Sequence, residues 1–386
     1  YCYCPATQAR FREWLQQKYQ GNLRALGKAW YRYSYSDWEQ VEAPRSMGGY
    51  PEWLDWLEFR LDNAHGLLRW RRDLIRSRDR KSRMAAHSIA YTLESHAEAS
   101  TDEWRAAREV ETFGFTWIAS RKGNEPWKQF HAVDLVRAGA RGKPFWHAEA
   151  QAGPLWMQGE VTGRPREDGR IAEPEDIRYW NLVSAAGGAT GILYPRWRPL
   201  LDGPLFGAFG PFAMDGSPTP RSEMCAKIAR WANTTPELWK ARPVAGDVGI
   251  VFVPESQLFN FVQNGNTSYY AESARGAYMA FFDAGLQPDW VQLDDIGEYP
   301  VVYLPFPLML KEATAKRLRQ YVEQGGMLVS EGCPGYFGDR GKAGEKQPNH
   351  GLDEMFGAVE ADVEFMPDLT GELRFRFGEA RVRGRL

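Results

Sequence analysis

Hydrophobic positions along this chain change period several times, and each change marks an element. From Gln8 to Tyr19, Phe11, Trp14, Leu15 and Tyr19 recur at helical spacing until Gln20-Gly21-Asn22 stops the run. Ala29 to Trp38 crowds aromatic rings without a clean period and reads as a ring-lined loop. Pro51 to Arg80 places Trp53, Trp56, Leu57, Leu61, Leu67, Leu68 and Leu74 along one long helix with an outer face of arginines and acids. Then come a short small-residue run from Met84 to Ile89, a helix from Asp102 to Val110, and an apolar strand from Thr112 to Ile118. A helix from Phe130 to Ala138 leads through Arg141-Gly142-Lys143-Pro144 into a strand ending at Glu149. Past a polar loop from Glu160 to Asp176, Glu175 to Ala186 reads as a helix closed by Gly187-Gly188, and Thr190 to Pro195 as one more buried strand.

These are four successive βα-type units, half of an eight-stranded (β/α)8 barrel; a small open sheet is the alternative. Gly203 to Pro220 is rich in Gly and Pro, a boundary signature, and Arg221 to Trp231 is a connecting helix. A second alternation follows. Val248 to Val253, Val301 to Leu304 and Gly326 to Ser330 read as strands, Tyr270 to Phe282 and Glu312 to Glu323 as helices, which implies a doubly wound α/β domain. Phe259, Phe261, Tyr269 and Tyr270 are expected in a loop that meets another subunit. The expected division is 1–213 for the half-barrel, 214–242 for the connection, 243–338 for the second domain and 339–386 for a tail with short strands at its end.

Composition narrows the class. The 386 residues are 43% hydrophobic and 25% charged, which marks a globular protein, and the net charge of −2 offers no bulk attraction for nucleic acid or anionic lipid. No apolar run is long enough to span a membrane. Four cysteines are too few for a disulfide scaffold and fit a reducing compartment, leaving localisation open with the cytoplasm favoured. The chain opens at Tyr1 directly into Tyr-Cys-Tyr-Cys, which reads as the middle of a protein. The 16 tryptophans raise the expectation of a carbohydrate ligand, because indole faces stack on the apolar faces of sugar rings.

The candidate chemistry centres on Glu149. A carboxylate at the C-terminal end of a buried strand must be paired or used, and in a parallel barrel that end is the catalytic face. Glu149 is the candidate nucleophile; the competing reading is a rim salt bridge to an arginine. Trp30 in the ring-lined stretch, Trp117 in the strand from Thr112, and Trp156 and Trp197 near the strand ends are candidate sugar-binding residues, while Arg196 and Arg198 are candidates to orient Glu149 and keep it ionised. His147 reads as a packed histidine. Cys2 and Cys4 suit a zinc ion if further ligands are supplied, but position 7 is a threonine. Cys333, after the strand ending at Ser330, suggests a nucleophile elbow, against which stand the bulk of Glu331 and the lack of a later histidine other than His350.

Taken together, Cys2-Tyr3-Cys4 before Phe11-Arg12-Glu13-Trp14-Leu15, Ala29-Trp30, Tyr35-Ser36-Asp37-Trp38, Lys143-Pro144-Phe145-Trp146 with Glu149, and Tyr194-Pro195-Arg196-Trp197-Arg198 make the chain resemble the glycoside hydrolase family 42 β-galactosidases over nearly all its length. The resemblance implies the C-terminal half of a TIM (β/α)8 barrel followed by a doubly wound amidotransferase-like domain used for trimerisation. It makes Glu149 the nucleophile of a retaining β-galactosidase, with the acid/base upstream of Cys2 and outside this sequence, and it implies a homotrimer acting on carbohydrate without a cofactor. This chain also departs from the family. Ala150 stands where a Gln usually follows the nucleophile, Thr7 replaces the third zinc cysteine, Gly203 to Gly207 lack the usual sugar-holding Glu and His, and Trp117 or Ile118 stands in place of a tyrosine. A non-catalytic sugar-binding or scaffold relative, and a glutamine amidotransferase using Cys333, are the alternatives.

Overall fold

The computed structural model describes residues 2–117, 125–153, 172–203, 207–238, 240–360, 372–377 and 380–385. Three helices come first: α1 (Pro5–Lys18), α2 (Leu23–Trp30) and α3 (Tyr50–Arg78). Proline opens α1 and α3 in the first turn, where its missing N–H has no helical partner to lose, and the Asn22 side chain caps α2 by accepting from Ala25 N–H. Phe11, Leu15, Leu26, Trp30, Trp56 and Phe59 from these helices form one buried cluster. The long periodic helix is thus found where its spacing places it.

Four parallel strands follow in sequence order: β1 (Ala85–Ser88), β2 (Thr112–Trp117), β3 (Phe145–Ala150) and β4 (Gly191–Ile192), each pairing with the next. Between them lie α4 (Thr92–Ala99) and α5 (Glu103–Arg108), then α6 (Pro126–Ala140) and α7 (Pro174–Ala186). This is the consecutive strand order of half a (β/α)8 barrel, with Phe113, Phe115, Phe145, Val133, Val136, Ile177 and Trp180 buried between strands and helices. The last strand is shorter than its apolar run: only Gly191 and Ile192 are in strand geometry, although Leu193 still exchanges backbone bonds with His147 and Ala150. Helix α4, unforeseen in the sequence, fills the β1 to β2 crossover.

After α8 (Pro220–Thr234), the second parallel sheet is built from β5 (Val248–Val251), β6 (Pro288–Val291), β7 (Val301–Leu304) and β8 (Met327–Ser330), in spatial order β6-β5-β7-β8. That order reverses direction between β5 and β7, the signature of a doubly wound sheet. Its helices are α9 (Pro254–Asn264), α10 (Ser268–Asp283) and α11 (Glu312–Glu323). The expected loop with Phe259, Phe261, Tyr269 and Tyr270 is corrected here. Phe259 and Phe261 lie in α9 and Tyr270 in α10, all three buried, and only Tyr269 is exposed. Short α12 (Leu352–Phe356) anchors residues after the last strand through Leu352, and β9 (Glu372–Phe377) with β10 (Ala380–Arg385) form an antiparallel hairpin.

The two sheets are joined by a shared core. Leu93, Trp104 and Leu135 from the half-barrel pack in the same cluster as Ile250, Phe252, Tyr278 and Trp290. Buried polar groups cross the junction with partners in place: Gln257 Nε2 donates to Leu93 O and Ala97 N–H to Gln257 Oε1, while Arg137 bridges Asp134 on its own helix and Asp289 on β6. Burying such groups costs free energy unless they are bonded, so these pairs fix one arrangement of the two parts.

Candidate active site

Glu149 lies near the C-terminal end of β3, and a bulge decides where it points. In the β2 to β3 ladder Phe115 opposes His147 but Thr116 opposes Glu149, so Ala148 is an extra residue on β3. Strict alternation would put His147 and Glu149 on the same side of the sheet. The bulge separates them. His147 stays with the helical layer, stacked on Phe115 at 4.5 Å and bonded to Ser184 Oγ of α7 (2.8 Å), and burial pushes its pKa down to about 4. It is the packed neutral histidine that its position suggests.

Glu149 turns to the other face, beside the side chains of Thr116 and His87. Thr116 Oγ1 donates to Glu149 Oε2 at 2.5 Å, and His87 Nε2 lies 2.5 Å from the same hydroxyl. The threonine has one proton and spends it on the carboxylate, so His87 must donate through Nε2–H. Glycine at 114 keeps this face open: a Cβ there would stand 2.7 Å from that of Ala148 and 3.9 Å from His87 Cδ2. Three consecutive strands therefore supply one chain of groups, His87 to Thr116 to Glu149. Among the described residues Glu149 has no ion pair; its contact is with a hydroxyl, not with the expected Arg196 or Arg198.

The other candidates are more scattered. Arg196, Trp197 and Arg198 are exposed beyond β4; Trp197 packs on Phe212 at 5.1 Å, and Arg198 donates to Met214 O rather than to Glu149. Trp30 is buried, its indole N–H on Asp55 Oδ2 at 2.8 Å, and belongs to the core of the N-terminal helices. Trp117 points to the helical side of β2, edge-on to Tyr91 and His131, because it alternates with Thr116. Neither ring lines the face that Glu149 occupies. Trp156 and Ile118 lie outside the described residues. Thr116 and His87 went unnoticed in the sequence; the signal was the position of Thr116 one residue before the end of its strand, across from the strand that carries the carboxylate.

Two cysteine candidates are also placed. Cys2 and Cys4 are exposed, with Thr7 Oγ1 3.4 Å from Cys4 Sγ; the Thr7 hydroxyl and Cys2 together hold the Cys4 thiol down at about 7. Two thiols and a neutral hydroxyl do not make the four-ligand set of a structural zinc, and among the described residues no cluster of three or more metal-ligating side chains occurs. Cys333 has the left-handed backbone of an elbow, φ 60°. However, it follows β8 at the edge of the sheet, away from the switch point between β5 and β7 where such folds place their ligands. Burial and then Glu360 push its thiol up, away from the reactive thiolate.

Comparison with known proteins agrees with this architecture. The family model of glycoside hydrolase family 42, described as beta-galactosidase, matches residues 1–203, and the model of the beta-galactosidase trimerisation domain matches residues 246–381. Beta-galactosidase LacZ of Heyndrickxia coagulans is 25% identical over 402 residues, covering 99% of this chain and 57% of that protein. Beta-galactosidase BgaH of Haloferax lucentense is 26% identical, covering 95% and 56%. The solved structure of the E323A catalytic mutant of Gan42B, a GH42 beta-galactosidase from G. stearothermophilus, superposes with a TM-score of 0.83 at 20% identity, over 100% of this chain and 57% of that one. The chain thus spans about half the length of the curated relatives it matches. With a family model covering more than half of its residues, and a half-barrel joined to a doubly wound sheet in the same order, the chain belongs to glycoside hydrolase family 42.

Proposed function

We propose that the protein containing this chain is a retaining hydrolase of β-galactosides or related β-glycosides, with Glu149 as its nucleophile. Membership of the family and the names of the relatives support the substrate class. The observation that carries the residue assignment is the placement of Glu149 at the C-terminal end of a parallel barrel strand, with Oε2 held by Thr116 and, among the described residues, no bond to Oε1.

Retaining hydrolysis needs two carboxyl groups about 5–5.5 Å apart, one attacking the anomeric carbon and one protonating the leaving oxygen. Glu149 supplies the first. The second is a carboxylic acid on a barrel strand preceding β1, upstream of Cys2. In the first step Oε1 bonds to the anomeric carbon as the glycosidic bond breaks, and its electron pair leaves with the aglycone oxygen, which takes the acid's proton. Water then attacks the same carbon, gives a proton to the resulting carboxylate base and returns the bonding pair to Glu149. Exposed Trp197 offers an indole face at the strand ends, where a sugar ring can stack.

Assembly as a homotrimer is part of this reading, supported by the trimerisation-domain match, and light scattering on the full-length protein showing a strict monomer would refute it. The catalytic reading is tested by Glu149→Gln in the full-length protein, which keeps shape and removes the attacking charge. Turnover of an aryl β-galactoside is expected to fall on the order of 10³-fold or more with folding intact. Activity within a few-fold of wild type would refute the assignment.

A further inference from the structure

We infer that Thr116, itself held by His87, is the positioning residue that selects which oxygen of Glu149 attacks; this rests on the reading of Glu149 as nucleophile. A carboxylate at the end of a strand rotates about its last bond and offers either oxygen unless something fixes it. Here a hydroxyl does so. Thr116 Oγ1 donates to Oε2, and His87 Nε2–H occupies the hydroxyl's acceptor side, leaving its proton directed at the carboxylate. The β3 bulge at Ala148 is what brings Thr116 and Glu149 into register, since without it the opposed pair would not share this face.

The arrangement has a chemical consequence in both steps. When Oε1 bonds to the anomeric carbon, Oε2 becomes the carbonyl oxygen of the glycosyl ester and still accepts from Thr116. When water displaces the ester, the electron pair returns to the carboxylate and negative charge develops on Oε2, which the Thr116 proton stabilises. Thr116 therefore fixes the geometry of attack and assists departure. It is neutral, so it orients Glu149 without the pairing to a cation that would weaken the nucleophile. Threonine also suits the strand, and with 9% of its surface exposed its side chain has little room to leave the carboxylate.

The test follows covalent labelling of the full-length protein by a 2-deoxy-2-fluoro-β-galactoside, with the labelled peptide identified by mass spectrometry. Thr116→Val keeps the shape and removes the proton; the rate of Glu149 labelling is expected to fall roughly ten- to a hundredfold, with ligand affinity nearly unchanged. Thr116→Ser is expected to restore it to within about threefold, an outcome that a packing role would not give. His87→Ala is an independent variant, its folding checked by circular dichroism; it is expected to slow labelling several-fold, and to add nothing in the Thr116→Val background. Wild-type labelling rates in both Thr116→Val and His87→Ala would overturn the inference while leaving Glu149 as nucleophile. A label on another residue would overturn the nucleophile reading itself.

Discussion

Trp104 lies flat against Phe252, ring centroids 5.5 Å apart and planes within 8° of parallel. One ring belongs to α5 of the half-barrel and the other follows β5 of the doubly wound sheet, so the two parts share apolar surface that neither can expose cheaply. Trp104→Ala is expected to cost about 3–5 kcal/mol, as large aromatic deletions in cores do. It is also expected to lower a single unfolding transition seen by both far-UV and tryptophan signals. Two separated transitions in the wild-type protein would show that the parts fold independently.

Glu103, at the start of α5, is fully buried, and desolvation raises its pKa to about 8. The folded chain therefore binds a proton there that the unfolded chain releases near 4.5. Its contribution to stability is fully present below that unfolded value and is lost as pH rises toward and through 8. Glu103→Gln is expected to remove this loss, worth on the order of a few kcal/mol, so the variant should gain stability relative to wild type between pH 6 and pH 9. Thermal melts across that range check it; parallel curves for the two proteins would contradict the shift.

The thiols should react in a set order. Cys4 is exposed and held down at about 7, whereas burial and Glu360 push Cys333 up. Brief iodoacetamide treatment at neutral pH, followed by peptide mapping, is expected to alkylate Cys4 well before Cys333. Rapid modification of Cys333 would revive the amidotransferase alternative.

Much of the architecture was legible because amphipathic elements leave a period. The α3 stripe, the β2 run and three of the four strands of the second sheet follow from spacing alone, whereas β6, four residues opening on a proline, does not. Helix α9 did not show itself because it is buried nearly all round: Ser256, Gln257 and Asn260 are as inaccessible as Phe259, so no polar face marks the turn of the helix. Those polar residues are explained only by their distant partners, such as Leu93 O for Gln257 and Met309 O for Ser256. At the candidate site, the strand-end position of Glu149 was legible, but its neighbours were not. A bulge adds one residue without altering composition, and it is the bulge at Ala148 that pairs Glu149 with Thr116 and leaves His147 behind. Attention to charged partners favoured Arg196 and Arg198, while a neutral hydroxyl carries the contact.

The most direct test of the account is the product formed when Glu149→Gly, in the full-length protein, is supplied with azide and an activated aryl β-galactoside. Removing the side chain leaves space on the face from which Glu149 attacks, and a small anion can enter there in its place. The account predicts recovered turnover with the α-galactosyl azide as product, inverted because attack comes once from that face. Formation of the β-galactosyl azide would make Glu149 the acid/base instead, and would contradict the assignment.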